Sequence, residues 1–384
     1  MNRRPWLPHI KLAAGLAALA LLLTACSGEP PVSSSISQPV DSAIAESTTP
    51  PLPESSPTAS SPSATLPLKT TAATTTAKIT TITQRPAKST MQPTSGTTTT
   101  QADSNKLAIS VYDAAQVQGK LAVWFFSMPS ESKHTGDCSL IRTPDGKTML
   151  IDGGNPTGGK MVCGYLDRLG ITRLDALVVT HMHEDHVGGC SAILEHVQVD
   201  KVYGTPMKDY QTSSARKFLN TLRAKELEYT VLGKGDTIPL GSAVSLETLW
   251  PWDSYPIPDG VIPEQDGSFT NNSSVVLRMG YGSKSFLFTG DIEIEVEEKL
   301  VADIGDKLRC DVLKIPHHGA TTSSSMAFIQ AAKPAYGTII TYALNDINIV
   351  QRYKSQHVNT TITSIDGTVL YLTDGSKLQY ATEK

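Results

Sequence analysis

The sequence contains no lysine- or arginine-rich run. Phosphate backbones are held by clustered cations, so a strong non-specific nucleic-acid platform is excluded. A nuclease whose metal ions supply the positive charge is not. No repeat of 20–50 residues is visible, which excludes a solenoid or propeller. The five cysteines show no zinc-knuckle spacing. The apolar stretch at residues 12–23 has twelve residues, too short to span a bilayer by itself. Aromatic residues are scarce at 6%, and residues 27–105 hold none. That segment cannot bury enough apolar surface to offset the entropy of ordering it.

These absences divide the chain into three. Arg3 and Arg4 precede the apolar stretch, and Leu23-Thr24-Ala25-Cys26 reads as a cleavage site with cysteine at +1. Residues 1–25 are read as a signal peptide resembling those of bacterial lipoproteins. Cys26 would then carry lipid and become the mature N-terminus, placing the chain outside the cytoplasm, anchored to the bacterial cell membrane. Residues 26–105 form a disordered Ser/Thr/Pro tether, with an r.m.s. span of about 50 Å. Residues 106–384 are long enough for one α/β core. They carry 26 Lys and Arg against 32 Asp and Glu, a formal charge of −6. Export permits disulfides. Cys138 in an early strand and Cys163 in the helix after the next strand are the pair expected to bridge. Cys190 reads as a small buried residue at a helix start.

The most informative run is Thr180-His181-Met182-His183-Glu184-Asp185-His186-Val187-Gly188-Gly189. It gathers three imidazoles and Asp185 within six positions, the donor types that hold zinc, manganese or iron in hydrolytic sites. Residues 174–180 before it are short, apolar and β-branched, hence a buried strand. The glycines after it allow a sharp turn. The donors therefore sit in a loop at the end of a core strand, where rigid scaffolds place chemistry. Strands are also predicted at 121–128, 138–143, 148–152, 201–204, 229–232, within 236–250, and at 274–280, 284–289, 311–315, 338–342 and 360–373. Helices are predicted near 160–169, 191–196, 213–226 and 294–304. A proline-rich loop, 251–263, is expected beside the site. Strands followed by helices, twice, suit two sheets with helices outside.

Thr-His-x-His-x-Asp-His-x-Gly-Gly resembles the signature of the metallo-β-lactamase superfamily. The resemblance implies an α/β (α+β) fold, the αββα sandwich, with one or two divalent metal ions, zinc or manganese, at its edge. It implies that His181 and His183 bind the first metal and that Asp185 and His186 bind the second. Ser285-Phe-Leu-Phe-Thr-Gly-Asp291 implies Asp291 as the bridge between them. Asp311-Val-Leu-Lys-Ile-Pro-His-His-Gly319 implies His318 as the late ligand, with His317 beside it at the reacting oxygen or donating a proton. Asp152, at a strand end, would orient a ligand imidazole. Where many relatives place a third histidine, about twenty residues before Asp291, this chain has Asn271-Asn272-Ser273-Ser274. Asn271 and Asn272 offer an oxygen contact to metal or substrate, weaker for zinc. His134, in the loop before Cys138, is read as exposed, and His196 and His357 as surface residues.

The Asn-Asn-x-Ser and His-His-Gly elements resemble the extracytoplasmic domain of ComEC competence proteins over residues 120–375. ComEC-like domains often carry Gly-His-Pro after the penultimate strand, and here Tyr342-Ala343-Leu344-Asn345-Asp346 has no histidine. The resemblance implies hydrolysis of phosphodiesters, DNA first. Wall teichoic acid or phosphorylcholine esters come next, and an inactive binding module is the reading from another class. β-Lactam hydrolysis ranks last. No dedicated protein partner is expected.

Overall fold

The computed structural model describes residues 103–130, 135–206, 210–252 and 255–384. The signal peptide, Cys26 and almost all of the tether lie outside them, as does His134. Asp103 and Asn105, counted with the tether, belong to the domain. Tyr380 N donates to Asn105 O at 3.0 Å, and Asn359 Nδ2 donates to Asp103 Oδ2 at 2.7 Å.

Two sheets form the centre. The first half of the chain gives β1 (Leu121–Phe125), β2 (Ser139–Arg142), β3 (Thr148–Ile151), the short β4 (Arg173–Leu174), β5 (Ala176–Val179), the short β6 (Gln198–Val199), β7 (Val202–Gly204) and β8 (Tyr229–Val231). The second half gives β9 (Ser245–Trp250), β10 (Val276–Tyr281), β11 (Lys284–Phe288), β12 (Val312–Lys314), β13 (Tyr336–Ile339), β14 (Asn359–Ile362), β15 (Val369–Thr373) and β16 (Leu378–Thr382). The larger sheet runs β16-β15-β1-β2-β3-β5-β7-β8, and the smaller β14-β13-β12-β11-β10-β9. From β3 onward the larger sheet is parallel. A parallel strand is covered on both faces, which is why all four residues of β5 are apolar and buried.

Period-two alternation distributes side chains between the layers. Leu121, Val123 and Phe125 join Met279, Phe286 and Phe288 between the sheets. Ala122 and Trp124 face the other way, into a cluster with Val162, Leu166, Ile193 and Phe218. Those four lie on helices α1 (Pro156–Arg168), α3 (Cys190–His196) and α4 (Ser213–Ala224); the single turn between α1 and α3 is α2 (Glu184–Val187). Asn155 caps α1, accepting from Thr157 N and Gly158 N. On the far side, α5 (Gly267–Asn272) precedes β10. Helices α6 (Ile294–Ile304), α7 (Met326–Ala332) and α8 (Ile347–Ser355) pack on the smaller sheet through Val296, Leu300, Phe328 and Tyr353. The result is the αββα sandwich. No helix among the described residues is long and apolar enough to cross a membrane.

Several elements differ from their sequence reading. Asn271 and Asn272 end the short helix α5, for which no element was predicted. Helices α7 and α8 and strand β16 were not anticipated. The four described cysteines are free thiols, which corrects the Cys138–Cys163 bridge. Cys138 and Cys190 are buried in the helix-side core and Cys163 packs against it. All three act there as small apolar side chains. Burial pushes the Cys138 and Cys190 thiols far up, and a scarce thiolate reacts slowly. Cys190 starts α3 and His196 and His357 are exposed, as read.

Candidate metal centre

The site is assembled where strands β3, β5, β11 and β12 end. β3 and β5 are parallel neighbours, so Asp152, just past β3, lies beside Thr180, just past β5. Thr180 N and Thr180 Oγ1 each donate to the Asp152 carboxylate at 2.7 Å. Asp152 holds a left-handed φ of 61°, as do His317 at 48° and His318 at 51°. Non-glycine residues adopt this region at a cost of about 1–3 kcal/mol each, and such strain concentrates at functional sites. Glycines let the loops close on one another. A Cβ on Gly136 would lie 1.6 Å from the Asp185 carbonyl oxygen, and one on Gly189 2.0 Å from that of Gly153. Any side chain at Gly136 would displace Asp185.

Four side chains converge. One donor atom each from Asp185, His186, Asp291 and His318 lies within 4.8 Å of the others. His186 Nδ1 is 2.9 Å from Asp152 Oδ2, which turns Nε2 inward. His318 Nδ1 is 3.0 Å from Ile340 O, which does the same for its Nε2. The two inward nitrogens are 3.4 Å apart. Asp291 Oδ2 lies 3.1 and 3.0 Å from them. Asp185 Oδ2 lies 3.9 Å from His186 Nε2 and 3.2 Å from His318 Nε2. Donors held at about 2.1 Å by a tetrahedral cation are separated by about 3.4 Å. The spacing therefore fits a divalent cation. So does the charge. Among the described residues, Asp137, Asp152, Asp185 and Asp291 meet one lysine there, Lys314.

Protons take up part of that imbalance. Burial opposes charge on His186 and His318, but the facing carboxylates outweigh it and hold both well above 6.5. A proton bound more tightly in the fold than in the unfolded chain stabilises the fold at low pH, and this stability is lost as pH rises through the raised value. A bound cation replaces those protons. A chelator should therefore lower the melting temperature, and by more at about pH 8.5 than at about pH 6. Zinc or manganese at about 100 Kd should restore roughly 2.7 kcal/mol. Calorimetry across that range checks it, and a chelator effect that shrinks with rising pH would contradict it.

His181 and His183 pair beside the cluster, with Nε2 and Nδ1 3.1 Å apart. Burial holds both below the usual histidine range, hence neutral and able to bind metal. His181 Nδ1 is 3.2 Å from Ser274 Oγ. His317 stands at the rim, its Nδ1 2.8 Å from Thr322 Oγ1. The oxygen of the Asn272 side chain accepts from Glu293 N at 2.9 Å. The neighbouring Asn271 reaches His317 Nε2 at 3.4 Å.

Sequence reasoning assigned no role to Asp137 and Lys314. Lys314 Nζ is buried, donates to Gly290 O at 2.7 Å and Asp291 Oδ1 at 3.1 Å, and pairs with Asp137. Asp137 Oδ1 is 3.0 Å from His318 Nδ1. The signal for Lys314 was present, because a lysine inside an apolar strand is rarely buried without a partner. Asp137 carried none beyond its place beside Gly136.

A four-layer sandwich with clustered imidazoles and carboxylates at its strand ends defines a metal-dependent hydrolase superfamily. The chain belongs to the metallo-beta-lactamase superfamily, whose model matches residues 133–343. It is 28% identical over 219 residues to ComE operon protein 3 of Bacillus subtilis (strain 168), covering 56% of this chain and 26% of that protein. It is 27% identical over 233 residues to Competence protein ComA of Neisseria gonorrhoeae, covering 60% and 26%. The chain thus spans about a quarter of the length of these relatives, which mark the ComEC-like branch. Among solved structures, zinc-bound PqqB from Methylobacterium extorquens matches with a TM-score of 0.45 and 13% identity, over 64% of this chain and 99% of that one.

Proposed function

We propose that the protein is a lipid-anchored extracytoplasmic phosphodiesterase that acts on DNA with zinc or manganese. The convergence of Asp185, His186, Asp291 and His318 carries the hydrolytic part. The competence relatives support DNA over cell-wall polymers. The membrane enters through lipid on Cys26, and the tether that ends before Asp103 gives reach.

Asp185, His186, Asp291 and His318 would hold a divalent cation, which would supply Lewis acidity and lower the pKa of a water. The chain does the rest. His186, Asp291 and His318 side chains are at most 5% exposed, whereas Asp185 and His317 are 26% and 23% exposed. A phosphodiester therefore approaches across Asp185 and His317. Asp291 is oriented by Lys314, His318 by Asp137 and Ile340, and His186 by Asp152. His317, kept below the usual histidine range by burial, exchanges a proton with the reacting oxygen through Nε2. Behind α5, Trp250, Trp252, Tyr255 and Phe269 line a pocket of about 590 Å³ that also touches Asn272. Such rings stack with bases in a sequence-tolerant way.

Changing His317 to alanine should lower kcat on a phosphodiester by about a hundredfold or more while metal content stays at the wild-type level. Loss of metal in that variant would instead make His317 a ligand. The broader test is a screen of the protein against single-stranded DNA, a nitrophenyl phosphodiester, phosphorylcholine esters, acyl thioesters and lactams with added manganese or zinc. Phosphodiester cleavage is the expected result. Activity confined to thioesters and lactams would overturn the proposal.

A further inference from the structure

Helix α4 buries Ala215, Phe218 and Leu222 and turns its other side to solvent. That side and the helix end carry Arg216, Lys217, Arg223 and Lys225, all exposed. Helical periodicity gathers these cations although no run in the sequence marks them. Elsewhere on the surface Lys147 stands against Asp175, Arg173 against Asp200, Lys234 against Asp303 and Lys307 against Glu247. The four cations of α4 form no ion pair among the described residues, and Arg223 donates instead to Asn220 Oδ1 at 2.8 Å. Arg216, Lys217, Asn220, Thr221 and Lys225 line a groove of about 750 Å³ that meets one carboxylate, Glu195, among the described residues. This cationic face belongs to a domain whose formal charge is −6.

The first turn of α4 touches the metal loop. Ser214 Oγ donates to Glu184 Oε1 at 3.0 Å, and Glu184 precedes Asp185, the exposed edge of the cluster. We infer that this face of α4 holds the sugar-phosphate backbone of a DNA strand whose scissile phosphate lies at the cluster. This rests on the phosphodiesterase reading and names how a polymeric substrate is guided. At about 1.5 Å per residue, Arg216 to Lys225 spans about 14 Å, the length of about four phosphates at one charge per about 3.4 Å of strand. Four such contacts fall short of a strong general platform, but they steer a strand already held at the metal loop. They act alike on bound substrate and transition state, so they set KM and leave kcat alone.

The test compares the full chain with the double variant Arg216→Gln/Lys217→Gln. Fluorescence anisotropy with a labelled single strand, in chelator, reads binding without cleavage. The logarithm of the wild-type binding constant should fall with that of salt at a slope of about −3, four contacts at about −0.7 each. The variant should bind about tenfold more weakly, with a slope shallower by about 1.4. With zinc or manganese restored, its KM for the strand should rise by about tenfold, while its kcat and its rate on a nitrophenyl phosphodiester stay at the wild-type level. Melting of the variant at the wild-type temperature excludes misfolding. Identical binding by both proteins, or no strand binding by the wild type, would overturn the inference and leave the hydrolase reading standing. Binding to phosphatidylglycerol vesicles but not to the strand would give the face to the membrane and overturn it too. Strand binding that follows the predicted slopes without hydrolysis of any phosphodiester would uphold the inference and remove the phosphodiesterase reading.

Discussion

Replacing Asp291 with alanine should lower phosphodiester hydrolysis by more than about a hundredfold and strip metal from the protein. Residues that merely support ligands cost 10–100-fold when removed, and Asp291 stands closer than that. Its Oδ2 lies within 3.1 Å of both inward imidazole nitrogens, and its Oδ1 accepts from Lys314. Burial opposes its ionisation, but the His186, His318 and Lys314 charges prevail and hold the carboxyl far below the usual range. It is therefore a fixed anion at the centre of the cluster. Elemental analysis together with rates on a nitrophenyl phosphodiester measures the effect. Wild-type metal content with a rate within about threefold of wild type would remove Asp291 from the proposed mechanism.

Lys314→Met should cost about 3–5 kcal/mol of stability, the loss typical when one partner of a buried ion pair is removed. The lysine is buried between two carboxylates, Asp137 and Asp291. Burial disfavours its charge, yet those carboxylates more than offset this and raise its pKa. Methionine fills similar volume but removes the ammonium that the two carboxylates share, leaving Asp137 with His318 and Asp291 with His186 and His318. Urea unfolding of the metal-free protein measures the loss, which a bound cation should reduce. Adding Asp137→Asn to Lys314→Met should recover part of it, since the two residues share one network. A loss below about 1 kcal/mol would show that water or His318 already compensates these charges.

The chain exposes its site to sequence reading unevenly. Donors in continuous runs were legible. The segment from His181 to His186 follows a strand whose apolar, β-branched character is plain, and Asp291 and His318 follow similar strands. The sandwich was legible for the same reason, because strand periodicity and the loops between strands are local. Contacts across the fold were not. Nothing local tells Lys314 that Asp137 lies opposite, since the two meet only once both sheets are packed. The Cys138–Cys163 bridge failed in the same way. Order along the chain suggested it, but the side chains were buried as separate apolar groups. The end of α5 was hidden by composition, because Asn, Ser and Thr form poor helices in isolation. Asp266 supplies the missing start signal, capping α5 through Phe269 N.

The most direct measurement is an anomalous-difference map from crystals grown with zinc or manganese. A strong peak should lie within about 2.3 Å of His186 Nε2, His318 Nε2 and oxygens of Asp185 and Asp291. A map with no peak among these four residues, or with metal held only by surface histidines such as His196 and His357, would contradict the account.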